Sequence, residues 1–161
     1  MSESSTNKTK RKQIELLRSN DWAVQFSFFY PDYIDSRNIL EDNKLIRQRI
    51  QRLNPDSAFY CKLRFYSMPS KSISNAPQDK TRIPMPYLTV YAIKHFNRAE
   101  IESFLPQKLT EVLTVVNRRI TPRYINNAVK AIKRQKLYNT YKHLNTQANS
   151  YSVINKNLLN A

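Results

Sequence analysis

Hydrophobic and polar positions alternate in three stretches of the chain. In "WAVQFSFFY" (22–30), Trp22, Val24, Phe26, Phe28 and Tyr30 fall on one side and Gln25 and Ser27 on the other, which predicts a first strand. "PDYIDS" breaks it. In "AFYCKLRFY" (58–66), Phe59, Cys61, Leu63 and Phe65 make an apolar face, and Tyr60, Lys62, Arg64 and Tyr66 make the opposite one. In "PYLTVYAIKHF" (86–96), Leu88, Val90 and Ala92 face one way, and Tyr87, Thr89, Tyr91, Ile93 and His95 the other.

Helical spacing fills much of the remainder. Asn38 and Glu41 resemble a capping box opening a helix of about fifteen residues, with Ile39, Ile46, Ile50 and Leu53 along one side. Asn97 and Glu100 start another, which Pro106 splits into 98–105 and 106–117, with Ile101, Phe104, Leu109, Val112, Leu113 and Val116 inward. Thr121-Pro122 caps a long basic helix running to about 147, with Ile125, Val129, Ile132, Leu137 and Leu144 as its seam. A short helix at 13–19 completes the set. The predicted order is β-α-β-β-α-α: an α+β fold with a small antiparallel sheet and helices packed on one face. Residues 1–13 read as a disordered basic arm, 14–147 as one α+β domain, and 148–161 as a loosely ordered tail. The segment 67–86, with four prolines and four serines, reads as a long loop.

Composition narrows the function. The 161 residues contain no glycine, where about eleven would be usual. That removes the Walker loop, the dinucleotide fingerprint and the glycine-bearing signatures of common RNA-recognition modules. One cysteine, Cys61, allows neither an internal disulfide framework nor a multi-cysteine zinc site. No apolar run is long enough to cross a bilayer, and "MSESSTNKTKRKQ" lacks a signal-peptide core. These features point to a cytoplasmic setting, or a nuclear one in a eukaryote. No cofactor and no metal site is expected.

Charge changes the picture most. Lys and Arg number 27 against 12 Asp and Glu, a net +15. From Val112 onward no acid occurs, while Arg118, Arg119, Arg123, Lys130, Lys133, Arg134, Lys136, Lys142 and Lys156 are all cationic. A polyanion partner follows, because neutralising phosphates releases condensed counterions. If the second and third strands are neighbours, Tyr60, Lys62, Arg64, Tyr66, Tyr87 and Tyr91 share a face combining rings for base stacking with cations for phosphates.

"FFYPDYIDSRNILEDNKLIRQRIQRL" resembles the opening of the rolling-circle replication-initiation proteins of filamentous phages and prophages. The likeness covers roughly residues 22–96 and lies in the layout of elements. It implies a metal-holding His-x-His pair on the third strand and a nucleophilic tyrosine on a later helix. Here Tyr87, Thr89 and Tyr91 stand where histidines are needed, and His95 has no partner two residues away. Tyr138 and Tyr141 in "YNTYKHL" are the tyrosines that could recreate the nucleophile, with Lys142 near the phosphate. Asp32 and Asp35 fit a turn better than a metal pair.

The leading expectation is a nucleic-acid-binding protein of phage, plasmid or mobile-element type, without catalytic activity. Single-stranded DNA is the favoured partner, RNA remains open, and no membrane is involved. A divergent rolling-circle nuclease using a tyrosine and a structural subunit of a ribonucleoprotein are the alternatives.

Overall fold

A computed structural model describes residues 5–31, 36–72, 81–134 and 151–160. The chain forms α1 (Ser5–Ser19), β1 (Val24–Phe29), α2 (Ser36–Leu53), β2 (Phe59–Pro69), β3 (Arg82–Ala92), α3 (Arg98–Glu102), β4 (Thr114–Arg119), α4 (Pro122–Lys133) and β5 (Ser152–Ile154). The five strands make one antiparallel sheet in the order β4-β1-β3-β2-β5. The fold is α+β, as the alternation predicts.

Helices cover both faces of the sheet rather than one. On the first face, Val24, Phe26, Phe28, Phe59, Cys61, Leu63, Leu88 and Val90 pack against Ile39, Ile46 and Ile50 of α2 and Ile101 of α3. On the second, Tyr60 and Tyr91 pack against Leu16 and Leu17 of α1 and Ala128, Val129 and Ile132 of α4. Trp22, just before β1, joins this second cluster instead of continuing the Val24–Phe28 face, and its indole N–H donates to Leu16 O at 3.0 Å. The second face reads as polar in sequence because its strand positions are tyrosines and lysine. Those side chains bury apolar bodies while keeping polar tips.

Four elements differ from their expected form. Ser5–Gln13 is helical and continuous with 14–19, not a disordered arm. Its apolar period is masked because the inward residue is Gln13, fully buried, which accepts from Tyr60 Oη at 2.7 Å. Thr114–Arg119 is a strand where the second half of a helix was predicted. Thr114, Val115 and Val116 are β-branched in succession, which favours a strand, and β4 completes the edge of β1. Val112 is accordingly exposed. The 67–86 loop is shorter than predicted, because β2 and β3 stay paired out to Pro69 and Arg82. Pro84 and Pro86 fit there because that part of β3 lies beyond the end of β1, so their missing N–H groups leave no ladder bond unmade. The tail is fastened. β5 pairs with β2, and the Asn160 N–H donates to Asn20 Oδ1 at 2.8 Å.

Two cap predictions match the structure. Asn97 and Glu100 form a reciprocal capping box on α3, and Thr121 Oγ1 accepts from the Tyr124 N–H with Pro122 at the first helical position of α4. Helix α2 begins at Ser36, two residues before Asn38. The long C-terminal helix is described only as far as Lys133. The predicted stretch to 147 lies outside the described residues.

Candidate nucleic-acid interface

Strands β2 and β3 are neighbours, in the register Tyr60↔Tyr91, Lys62↔Thr89, Arg64↔Tyr87 and Tyr66↔Met85. Strand alternation therefore puts Tyr60, Lys62, Arg64, Tyr66, Tyr87, Thr89 and Tyr91 on one side. They do not form one open platform. Helices α1 and α4 close the first half, leaving Tyr60 0%, Tyr91 3% and Lys62 4% exposed. The Tyr60 and Tyr91 rings stack on each other at 5.3 Å, and Trp22 meets both edge-on. Burial raises the pKa of both hydroxyls well above the ordinary tyrosine value. Burial first, then the charges of Arg64 and Lys10, bring the Lys62 ammonium down to about 7. Tyr60, Lys62 and Tyr91 belong to a packed core layer. Their side chains present almost no surface to solvent.

In the second half of the same face Ile83 and Met85 are buried with Tyr66 packed against them, while Phe29, Arg64, Tyr66 and Tyr87 are themselves half-exposed. Phe29 of β1, Tyr66 of β2 and Tyr87 of β3 form a three-ring cluster across adjacent strands. Phe29 and Tyr87 are parallel, 4.6 Å apart at 18°. Tyr66 approaches them at 5.7 Å and 5.8 Å. The Arg64 guanidinium lies 6.0 Å from the Tyr87 centroid, within cation–π range. Tyr124, in the first turn of α4, borders the cluster. Burial raises its hydroxyl pKa against the opposing influence of Arg64 and Arg118, which places both cations nearby. Phe29 and Tyr124 escaped the sequence reading. The signal for Phe29 was its place on the Gln25–Ser27 side of β1, an aromatic ring on the strand's polar-reading side.

The cations are segregated between the two faces of the sheet. Helices α1 and α4 with the Arg134 cap carry nine cations and one acid, Glu15. Residues 38–53 of α2 and helix α3, on the opposite face, carry five cations and four acids. The two basic helices pack side by side, with Lys10 Nζ donating to Lys133 O at 3.4 Å. Lys8, Arg11, Lys12, Arg18, Arg123, Lys130, Lys133 and Arg134 are solvent-facing for the most part, and Arg118 and Arg119 are exposed on the edge strand β4. Lys136 and Lys142 lie outside the described residues, as do Tyr138, Tyr141, Asp32 and Asp35.

His95 is exposed in the loop between β3 and α3 rather than at the strand end. Among the described residues no group of three His, Cys, Asp or Glu is placed to hold a metal. Burial pushes the Cys61 thiol up to about 12, so it is protonated and unreactive at neutral pH. The buried Asp42 carboxyl is raised by desolvation and accepts from Tyr30 Oη at 2.9 Å, a bond internal to the core.

Comparison with protein-family models, curated proteins and solved structures finds no match to this chain.

Proposed function

We propose that this protein binds single-stranded nucleic acid, placing unpaired bases on the Phe29–Tyr66–Tyr87 cluster and phosphates along the α1–α4 layer. One observation carries the reading: three half-exposed rings on adjacent strands share a side of the sheet with a helical layer carrying nine cations and one acid. Half-exposed rings offer π surface to an unpaired base, and cations on the same side of the sheet suit the backbone that bears it. Arg64 and Arg118 stand between the two regions and suit the phosphates flanking a stacked base.

Titration of a labelled oligonucleotide, single-stranded and then duplexed, at rising salt tests the proposal. With six to ten phosphate contacts, affinity is expected to fall about a thousandfold or more between 50 and 200 mM salt. The single strand should bind tighter than the duplex at every salt concentration. A nearly flat salt response, or a preference for duplex, refutes it.

A further inference from the structure

The face opposite the basic layer carries a second surface, whose chemistry does not depend on nucleic-acid binding. Among the described residues, strand β5 is outermost in the sheet and pairs with β2 alone. Its outer backbone groups therefore form the sheet edge on that side. Beside it runs a groove of about 250 Å³, with β5 as one wall and Lys44, Arg47, Gln48 and Gln51 of α2 as the other. Those four residues are spaced as one stripe of the helix. They comprise two cations and two amides, with no carboxylate. Arg47 is anchored at the groove by donating to Ser152 Oγ at 2.5 Å.

We propose that this groove takes an extended acidic peptide, which adds to the sheet as a strand against β5. The edge dictates a peptide: it presents N–H donors and C=O acceptors together, and a second strand matches both. A phosphate backbone can accept from the N–H groups but has nothing to donate to the carbonyls. The helix wall dictates the side chains. Ser152 and Ile154 face α2, since Ser152 meets Arg47 and Ile154 lies in the α2-side core. Alternate residues of an added strand point the same way, toward Lys44, Arg47, Gln48 and Gln51. Carboxylates there meet two cations and two amide donors. The occupant is thus a segment with Asp or Glu at every second position, on a partner protein.

The probe is a short fluorescent peptide of alternating valine and glutamate, titrated into the full chain and followed by anisotropy. Binding should slow hydrogen exchange of the 152–154 amides. The Lys44→Glu, Gln48→Glu double variant changes two exposed residues and should weaken binding about tenfold or more through like-charge contact. N-methylation of alternate peptide amides should weaken it comparably, because charge is kept and only the edge bonds are lost. The proposal fails if the peptide does not bind, if the charge-reversed variant binds it equally, or if N-methylation has no effect. It fails also if an oligonucleotide displaces the peptide and itself protects the 152–154 amides, which would make the groove part of a nucleic-acid track.

Discussion

The ring of Phe29 lies parallel to that of Tyr87, 4.6 Å away across the β1–β3 pair, and both remain half-exposed. The Tyr60–Tyr91 stack, by contrast, is buried under α1 and α4. Replacing Tyr66 and Tyr87 together by Ala is expected to reduce single-strand affinity about tenfold or more, at roughly 1–3 kcal/mol per stacked base. Duplex affinity, measured in parallel, should change little. Equal losses on both ligands would assign binding to the basic helices alone.

The Tyr60–Tyr91 pair predicts the converse. Tyr60→Phe removes the hydroxyl that donates to Gln13 and should cost about 1–2 kcal/mol in denaturant unfolding. Tyr60→Ala, which empties a fully buried aromatic site, should cost about 3–5 kcal/mol. Neither should alter the affinity of the folded fraction for a single strand. A selective loss of binding in Tyr60→Phe at unchanged stability would place bases on the closed half.

Lys62 makes stability depend on pH. Its ammonium falls from 10.5 to about 7 on folding, because burial and the Arg64 and Lys10 charges disfavour it. Between those values the unfolded chain holds a proton that the native state lacks, so stability rises with pH through that window. Below about 7 both states are protonated and the cost of burying the charge is paid in full. The rise should be visible from pH 7 to about 9. Above that, Cys61 and the buried tyrosines reverse it, because they lose their protons more readily when unfolded. Urea midpoints of wild type and Lys62→Met check this. The variant should be more stable at neutral pH, and its profile flatter between pH 7 and 9.

Asn155 fastens the final strand by two means. Its backbone is left-handed, at φ 55 and ψ 50, and its Nδ2 donates to Asn54 O at 2.9 Å and Ser57 O at 2.6 Å. Asn155→Gly keeps the conformation and loses the two bonds, for an expected cost of about 1–2 kcal/mol. Asn155→Ala loses the same bonds and has neither glycine's freedom nor asparagine's tolerance of the left-handed region, so it should cost about 1–2 kcal/mol more than the Gly variant. Denaturant unfolding of the two variants gives the order. Ala equal to Gly would show that the backbone conformation contributes nothing.

The basic layer should act on all sequences alike. Changing Lys12, Lys130, Lys133 and Arg134 to Gln alters residues on the solvent side of α1 and α4 and should leave the fold intact. Affinity should drop for every oligonucleotide, and the salt slope should shrink by up to about one unit per cation lost. An unchanged slope in a folded variant would move the phosphate contacts off these helices.

The three central strands, the Ile39, Ile46 and Ile50 seam of α2, both helix caps at Asn97 and Thr121, and the basic asymmetry were all legible in the chain itself, whereas Leu53, expected on that seam, is 46% exposed at the helix end. Each is a local signal: alternation, 3.6-residue spacing, a capping side chain, a count of charges. Fold class followed from their order. What the chain could not express is which side of a strand a helix covers. Tyr60 and Tyr66 are the same residue type, six positions apart on the same face of β2, yet one is buried beneath α1 and the other is half-exposed beside Phe29 and Tyr87. Alternation fixes the face. Only the reach of α1 and α4 across the sheet decides where that face ends and the surface begins. β4 and β5 were hidden for a related reason: a short edge strand draws its stability from the partner it completes, β1 or β2, and those partners are distant in sequence. The residues determined what could be buried, and long-range packing determined what was.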